Sequence, residues 1–302
     1  MNCTRLYYRI SDKSHTTPKL IGTNKEVCLK NFCRAFAEIV FGSGSQPPQE
    51  GFVPPVVIIC DNCSQATLDM IRETGLPCVE TQWGNAGSLI FALELALKQG
   101  DDDDVAYFCE DDYLHLASAP DLLREGLSRS DYITLYDHPD KYTKLYDGGE
   151  VCKVLRMPIS HWRQTISTCM TFGARIKALR EDIEIWQKYA SSKIPKDHLI
   201  FTELRQKGRN LLVPIPGVAC HVDLAFSARI GRMSMEPWAI DLMIDRLERE
   251  IGGYTVSLGN GSPEQAAFID KMEQIMGDKT GAERLLALDA LRSSYRLPFH
   301  KI

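Results

Sequence analysis

Three short apolar runs, at residues 6–10, 56–60 and 105–109, each give way to acidic residues, and stretches of helical spacing lie between them. Each run has the length of a strand buried on both faces. The intervening stretches are too long for hairpins, so successive strands must be joined by crossovers. Right-handed crossovers of this kind build a largely parallel sheet with helices on its faces. This alternation predicts an α/β fold, and ligands of such sheets sit beyond the carboxyl ends of the strands.

The third run carries the strongest chemical signal. It ends in Glu110-Asp111-Asp112. Three adjacent carboxylates repel one another and cannot all stay charged in an apolar interior. They are expected where the strand leaves the core. There, a divalent cation with a preference for hard oxygen ligands would offset the repulsion, and a solvated acidic turn is the alternative. Asp12 and Asp61 follow the other two runs, so all the acids are expected at one edge of the sheet.

Between the strands, Thr23 to Glu26 fits a capping box opening a helix with Cys28, Phe32, Phe36 and Ile39 on one face. Ser64 is the expected N-cap of the next helix. Gly84-Asn85-Ala86-Gly87-Ser88 opens a third, and glycines at a helix start can admit a phosphate close to backbone N–H groups. Residues 166–172 read as a strand. Residues 211–216 read as an edge strand because of Pro214 and Pro216. Asp197 begins the helix before Gly208, and His221 lies just past a late strand with Asp223 beside it. From residue 235 the spacing turns helical around a loop at 252–263. The expected division is a catalytic domain over 1–234, with halves at about 1–116 and 117–234, and a helical extension over 235–302.

Composition narrows the class. The net charge of -5 argues against a broad electrostatic grip on nucleic acid. Lys141, Lys144, Lys153, Arg156 and Arg163 form a local basic stretch, read as solvated surface. His161-Trp162-Arg163 within it could stack on a sugar or base, or bury Trp162 in the core. The ten cysteines lie mostly in apolar runs, as free buried thiols do, which points to a reducing, cytoplasmic setting. Cys60-Asp61-Asn62-Cys63 has redox-pair spacing, for which chance at a strand end is the competing reading. No stretch has the length and apolarity of a membrane span, and no signal-peptide core opens the chain.

In order, the loop from Tyr8 to His15, the run ending Cys60-Asp61-Asn62, Trp83-Gly84-Asn85-Ala86-Gly87, and Tyr107-Phe108-Cys109-Glu110-Asp111-Asp112 resemble the motifs of GT-A nucleotide-sugar glycosyltransferases, family 2-like in kind. Glu110 stands where that family more often has Asp. The resemblance covers about residues 5–225 and implies a Rossmann-like, mostly parallel sheet with a C-terminal helical extension. It implies an inverting, metal-dependent transfer of a sugar from a nucleotide sugar, a UDP-sugar in the first instance. The implied cation is Mn²⁺ or Mg²⁺, held by Asp112 and completed by His221. Asp12, Asp61, Asn85, Gly87, Glu110 and Asp111 would hold the donor. Asp197, in Lys196-Asp197-His198-Leu199, would be the base for the acceptor hydroxyl. Simple helix capping is the alternative for Asp197, and a structural role is the alternative for His221.

The acceptor is open: a glycan, a lipid-linked sugar, a protein or a modified DNA base. The C-terminal helices could pair two copies. A glycosidase reading of Glu110 and Asp112 fits less well, since two residues apart on a strand they share one face at close range. Two further readings stand beside the transferase. One is a nucleotidyltransferase on a similar sheet, against which segment 11–18 has one lysine and no glycine. The other is a non-enzymatic protein that binds metal and nucleotide.

Overall fold

The structure, a computed structural model, describes residues 3–13, 19–20, 22–42, 54–137, 141, 152–191, 193–223, 254–255 and 300–301. In chain order the elements are β1 (Thr4–Ser11), α1 (Lys25–Ala35), α2 (Ala37–Phe41), β2 (Val56–Asp61), α3 (Gln65–Arg72), β3 (Cys78–Thr81), α4 (Gly84–Gln99), β4 (Val105–Glu110) and β5 (Tyr113–His115). There follow α5 (Ala119–Leu127), β6 (Tyr132–Ile133), β7 (Val154–Arg156), β8 (His161–Gln164), β9 (Phe172–Arg175), α6 (Ile176–Tyr189), α7 (Asp197–Gln206), β10 (Leu211–Ile215) and β11 (Ala219–His221). The last two are β12 (Tyr254–Thr255) and β13 (His300–Lys301).

The chain divides into two compact units. One comprises Met1–His138 with Glu150–Val222, the other Pro139–Gly149 with Asp223–Ile302. Of the second, the structure describes the antiparallel pair β12 and β13, with Tyr254 opposite Lys301. The expected loop at 252–263 therefore contains a short strand. The helices expected from residue 235 onward, and the boundary at 234, lie outside the described residues.

The first unit is a Rossmann-like α/β fold around a mixed, mostly parallel sheet in the order β3-β2-β1-β4-β9-β6-β10-β8-β7. β1 pairs in parallel with β2 and β4, and β2 with β3. β9 runs antiparallel between β4 and β6. Alternation along β1 divides its side chains between two cores. Leu6, Tyr8 and Ile10 enter one, packed with Leu29, Phe32, Leu68, Ile71 and Leu123 from α1, α3 and α5. Tyr7 enters the other with Leu89, Leu93, Leu179 and Phe201 from α4, α6 and α7. Trp186 anchors this second core, stacked on Phe172 at 4.5 Å between centroids.

Local signals mostly act as expected. Ser64 caps α3 by accepting from the Thr67 N–H. The α1 cap falls one residue late, on Asn24, whose side chain accepts from the Val27 N–H at 2.8 Å. Thr23 instead donates its hydroxyl to the Leu20 carbonyl.

Three expectations are corrected and one open alternative is settled. The strand expected at 166–172 begins only at Phe172, because Cys169 and Met170 take positive φ of 47° and 59° and break extension. β10 is interior, between β6 and β8. Its pairing with β6 stops at Leu212, so Pro214 lies past the end of that neighbour and no ladder bond is lost there. Trp162 is fully buried and donates its ring N–H to Glu125, so it is a core residue and offers no stacking face. Arg163 is buried beside it and donates to Asp137 at 2.6 Å, which removes it from any basic surface.

Candidate functional site

Parallel register sets the carboxyl ends of β1, β2 and β4 in one row: Ser11 lies opposite Asp61, and Arg9 opposite Glu110. The expected clustering of Asp12 and the three consecutive acids is therefore built by the sheet. Two cations meet them. Arg9 is buried and ion-paired with Glu110. It also donates to the Asn85 carbonyl at 2.8 Å, the Asn85 side chain at 3.2 Å and the Ser88 hydroxyl at 3.2 Å. Lys25, the first residue of α1, contacts the Ser11 carbonyl and lies 3.2 Å from Asp12 and 3.1 Å from Asp111.

The carboxylates differ in their surroundings. Burial pushes the Glu110 carboxyl up to about 8, opposed by Arg9 and reinforced by Asp112, Asp111 and Asp197. Burial and then Asp112 raise Asp111, against Lys25 and the Ser11 N–H. Burial also acts upward on Asp12, but hydrogen bonds from Ser64, Thr67 and Lys25 outweigh it and hold the group at about 2. Burial lowers the Lys25 ammonium, and Asp111 and Asp12 more than reverse this, so the charged form prevails.

Asp112 is different. Among the described residues, its buried Oδ1 has no hydrogen-bond partner. Its Oδ2 lies 3.5 Å from His221 Nε2, and its carbonyl accepts from the Val222 N–H at 2.8 Å. The β5–β11 ribbon makes this approach, with His221 opposite Tyr113. Asp112 and His221, 109 positions apart by number, thus do come together.

Asp197 is the first residue of α7. Its Oδ2 accepts the Thr168 and Cys169 N–H groups, both at 2.9 Å, and its Oδ1 accepts its own helix's His198 N–H. The carboxylate thereby ties α7 to the strained turn at Cys169 and Met170. The carbonyl of Cys169 in turn accepts from Tyr113 Oη. A carboxylate so engaged is a brace on that turn; the N-cap position of α7 is Lys196, which makes no side-chain cap bond.

Asp61 is likewise committed. It is buried, its Oδ1 accepts from Thr81 Oγ1, Trp83 N and Gly84 N, and its Oδ2 accepts from Asn62. It fastens β2 to the start of α4. Gly87 also serves packing: an added Cβ would fall 2.5 Å from the Trp83 Cβ, so its missing side chain accommodates Trp83. Gly84 is the glycine the backbone requires, at φ +74° with nothing near its Cβ position.

Arg9 and Lys25 were not singled out from sequence. Each left a trace. Arg9 interrupts an apolar strand two residues before its end. Lys25 puts a cation at a helix N-terminus, where the dipole disfavours it unless acids compensate.

Among the described residues no three His, Cys, Asp or Glu side chains converge as a protein-only metal cage. An ion of the Mg²⁺ kind does not need one, since it binds through one or two carboxylates together with phosphate oxygens and water. The orphaned Asp112 Oδ1, beside two further carboxylates, fits that mode. The His221 imidazole suits hard cations less well, and its place is against Asp112.

No protein-family model and no curated protein matches the sequence. Solved structures match in fold. CMP:2-keto-3-deoxy-manno-octonic acid synthetase complexed with CTP is 11% identical at TM-score 0.42, over 82% of this chain and 99% of that one. A mannose-1-phosphate geranyltransferase from Thermus thermophilus is 10% identical at TM-score 0.39, over 70% and 73%. A nucleotidyl transferase from Methanothermobacter is 11% identical at TM-score 0.39, over 70% and 87%. The third of these is named as a nucleotidyl transferase. None of these three is named as a glycosyltransferase, and the expectation of an inverting glycosyltransferase is not carried forward. No helix of the described residues is long and apolar enough to cross a membrane.

Proposed function

We propose that this chain is a metal-dependent nucleotidyltransferase, in which an acceptor oxygen attacks the α-phosphorus of a nucleoside triphosphate and pyrophosphate leaves. The observation that carries the reading is the seating of Lys25 between Asp12 and Asp111 at the carboxyl end of the central parallel strands. The segment 11–18 carries a single lysine, and Lys25 on α1 adds a cation from outside it. A triphosphate brings several negative charges, and its binding is electrostatically feasible only where fixed cations and a divalent ion gather. Lys25 can exchange a carboxylate for a phosphate oxygen, while Arg9 holds Glu110 and the start of α4 in place. Asp112, with Glu110 and Asp111 beside it, would hold a Mg²⁺-type ion, which supplies charge neutralisation of the phosphates. His221 orients Asp112, and Asp197 with Asp61 keeps the surrounding turns in position.

The test is pyrophosphate release by purified protein with each of the four nucleoside triphosphates and Mg²⁺, against a panel of sugar phosphates and sugar acids. Release that stops on adding EDTA and in Asp112→Asn supports the reading. Absence of both release and triphosphate binding, in protein that melts cooperatively, would sink it.

A further inference from the structure

The end of β2 holds a group of thiols that nucleotide chemistry does not use. Cys60 is buried at the penultimate position of the strand, and Cys63 is half-buried three residues on. Asn62 turns the chain between them with φ 53°. The Cys63 Sγ lies 3.4 Å from the Ile10 carbonyl and 3.9 Å from that of Asp61. The two thiols are close enough to influence each other's ionisation, and the exposed Cys78 on β3 influences Cys60 as well. The Cys60 thiol holds Cys63 below the usual thiol range, against burial and the nearby Asp12 and Asp111, with Lys25 assisting. Its own partner is pushed the other way, by the Cys63 contact and by burial.

We propose that Cys60 and Cys63 are a reversible dithiol–disulfide pair, in which Cys63 attacks a low-molecular-weight disulfide such as glutathione disulfide and Cys60 resolves the product. In the first step the Cys63 thiolate forms an S–S bond with one glutathione sulfur, and the other leaves as a thiolate. In the second, Cys60 loses its proton and attacks the Cys63 sulfur, expelling the second glutathione thiolate. The protein dithiol has lost two electrons, and the glutathione disulfide has gained them as two thiols. A half-buried attacking thiol followed by a buried resolving one suits this order, since the oxidant reaches only the first.

The pair is wired to the acidic site. Cys63 precedes Ser64, whose N–H donates to Asp12 at 2.7 Å, and Asp12 also accepts from Thr67. Closing the bridge moves the Cys63 Sγ off the Ile10 carbonyl and shifts the start of α3, which holds Asp12. The proposal does not depend on the nucleotide reading, because its readouts are covalent and local.

The experiment incubates the reduced full-length protein with glutathione disulfide at neutral pH, quenches with acid, alkylates, and maps the thiols by mass spectrometry. The expected product is a bridge within the segment 60–63, reversed by dithiothreitol. Cys60→Ser should trap glutathione on Cys63, and Cys63→Ser should slow oxidation of Cys60 by at least about tenfold. Cys78→Ser should leave the bridge unchanged. Hydrogen exchange over residues 62–68 should rise on oxidation. A bridge from Cys60 to Cys78, oxidation elsewhere with 60–63 left reduced, or equal rates in Cys63→Ser would overturn the proposal. Unchanged exchange would overturn its link to Asp12. The wild-type map decides the pairing even where a variant folds poorly.

Discussion

Replacing Asp61 by alanine separates two readings of that residue. If it faces a ligand, the change costs affinity and little stability. Its contacts say otherwise. One carboxylate oxygen accepts from Thr81 Oγ1 at 2.9 Å, the Trp83 N–H at 2.8 Å and the Gly84 N–H at 3.1 Å, and the other accepts from Asn62 at 2.8 Å. Truncation strands two backbone donors at the start of α4 and one hydroxyl in the core. A hydrogen bond to a charged group contributes about 1.5–3 kcal/mol, and a stranded buried donor costs about 1–3 kcal/mol. Trp83 is exposed and Gly84 half-exposed, so water recovers part of this. The Thr81 hydroxyl can also rotate towards another acceptor. The net loss should be about 3 kcal/mol, or roughly 6–12 °C in melting temperature at the usual 2–4 °C per kcal/mol for a unit of this size. Asp61→Asn keeps an acceptor oxygen for the same donors and should lose about 1 kcal/mol. Urea and thermal unfolding followed by near-ultraviolet circular dichroism measure both. A melting temperature of Asp61→Ala within about 2 °C of wild type would refute the fastening role.

Four further outcomes are expected. Lys25→Met, which keeps most of the stem and removes the ammonium between Asp12 and Asp111, should weaken triphosphate binding about tenfold or more in calorimetry, the equivalent of one charge-assisted contact. Asp112→Asn should remove the dependence of triphosphate binding on Mg²⁺, and a thermal-shift titration with and without EDTA reads this directly. His115 is buried with Nδ1 unpartnered among the described residues, and burial pushes it down to about 3. The unfolded chain takes up its proton below about 6.5, so its stability contribution is full above that pH and falls by about 1.4 kcal/mol per unit towards pH 3; His115→Gln should flatten this slope in urea titrations between neutral pH and pH 5. Gly126→Ala places a methyl 2.5 Å from the Trp162 ring and 2.8 Å from Ile133 Cγ2, and such overpacking should lower stability by about 1–3 kcal/mol in the same denaturation assay.

The parallel half of the sheet was legible because it is written locally. β-branched and aromatic runs of strand length, helical periodicity between them and acids at the strand ends all point to one architecture. The row formed by Asp12, Asp61 and residues 110–112 follows from that pattern, since parallel strands in register must end together. The resemblance implied that Asp112 and His221 share a metal; here their side chains lie 3.5 Å apart, brought together by a ribbon of two three-residue strands. The antiparallel insertion of β9 was not legible, nor was the interior place of β10. Both depend on which strands meet across long separations, and short strands carry too few residues to state their partners.

By itself, then, the sequence determined the alternation, the two buried faces and the edge at which the acids gather. These follow from periodicity and burial, which act residue by residue. Only the tertiary structure decided what each acid does there. It committed Asp61 and Asp197 to backbone N–H groups, brought Lys25 and Arg9 in from other elements as counter-charges, and left one oxygen of Asp112 without a partner among the described residues. A carboxylate's role is set by the donors within about 3 Å of it. Those donors come from elements distant in the chain, so no local pattern around the carboxylate specifies them.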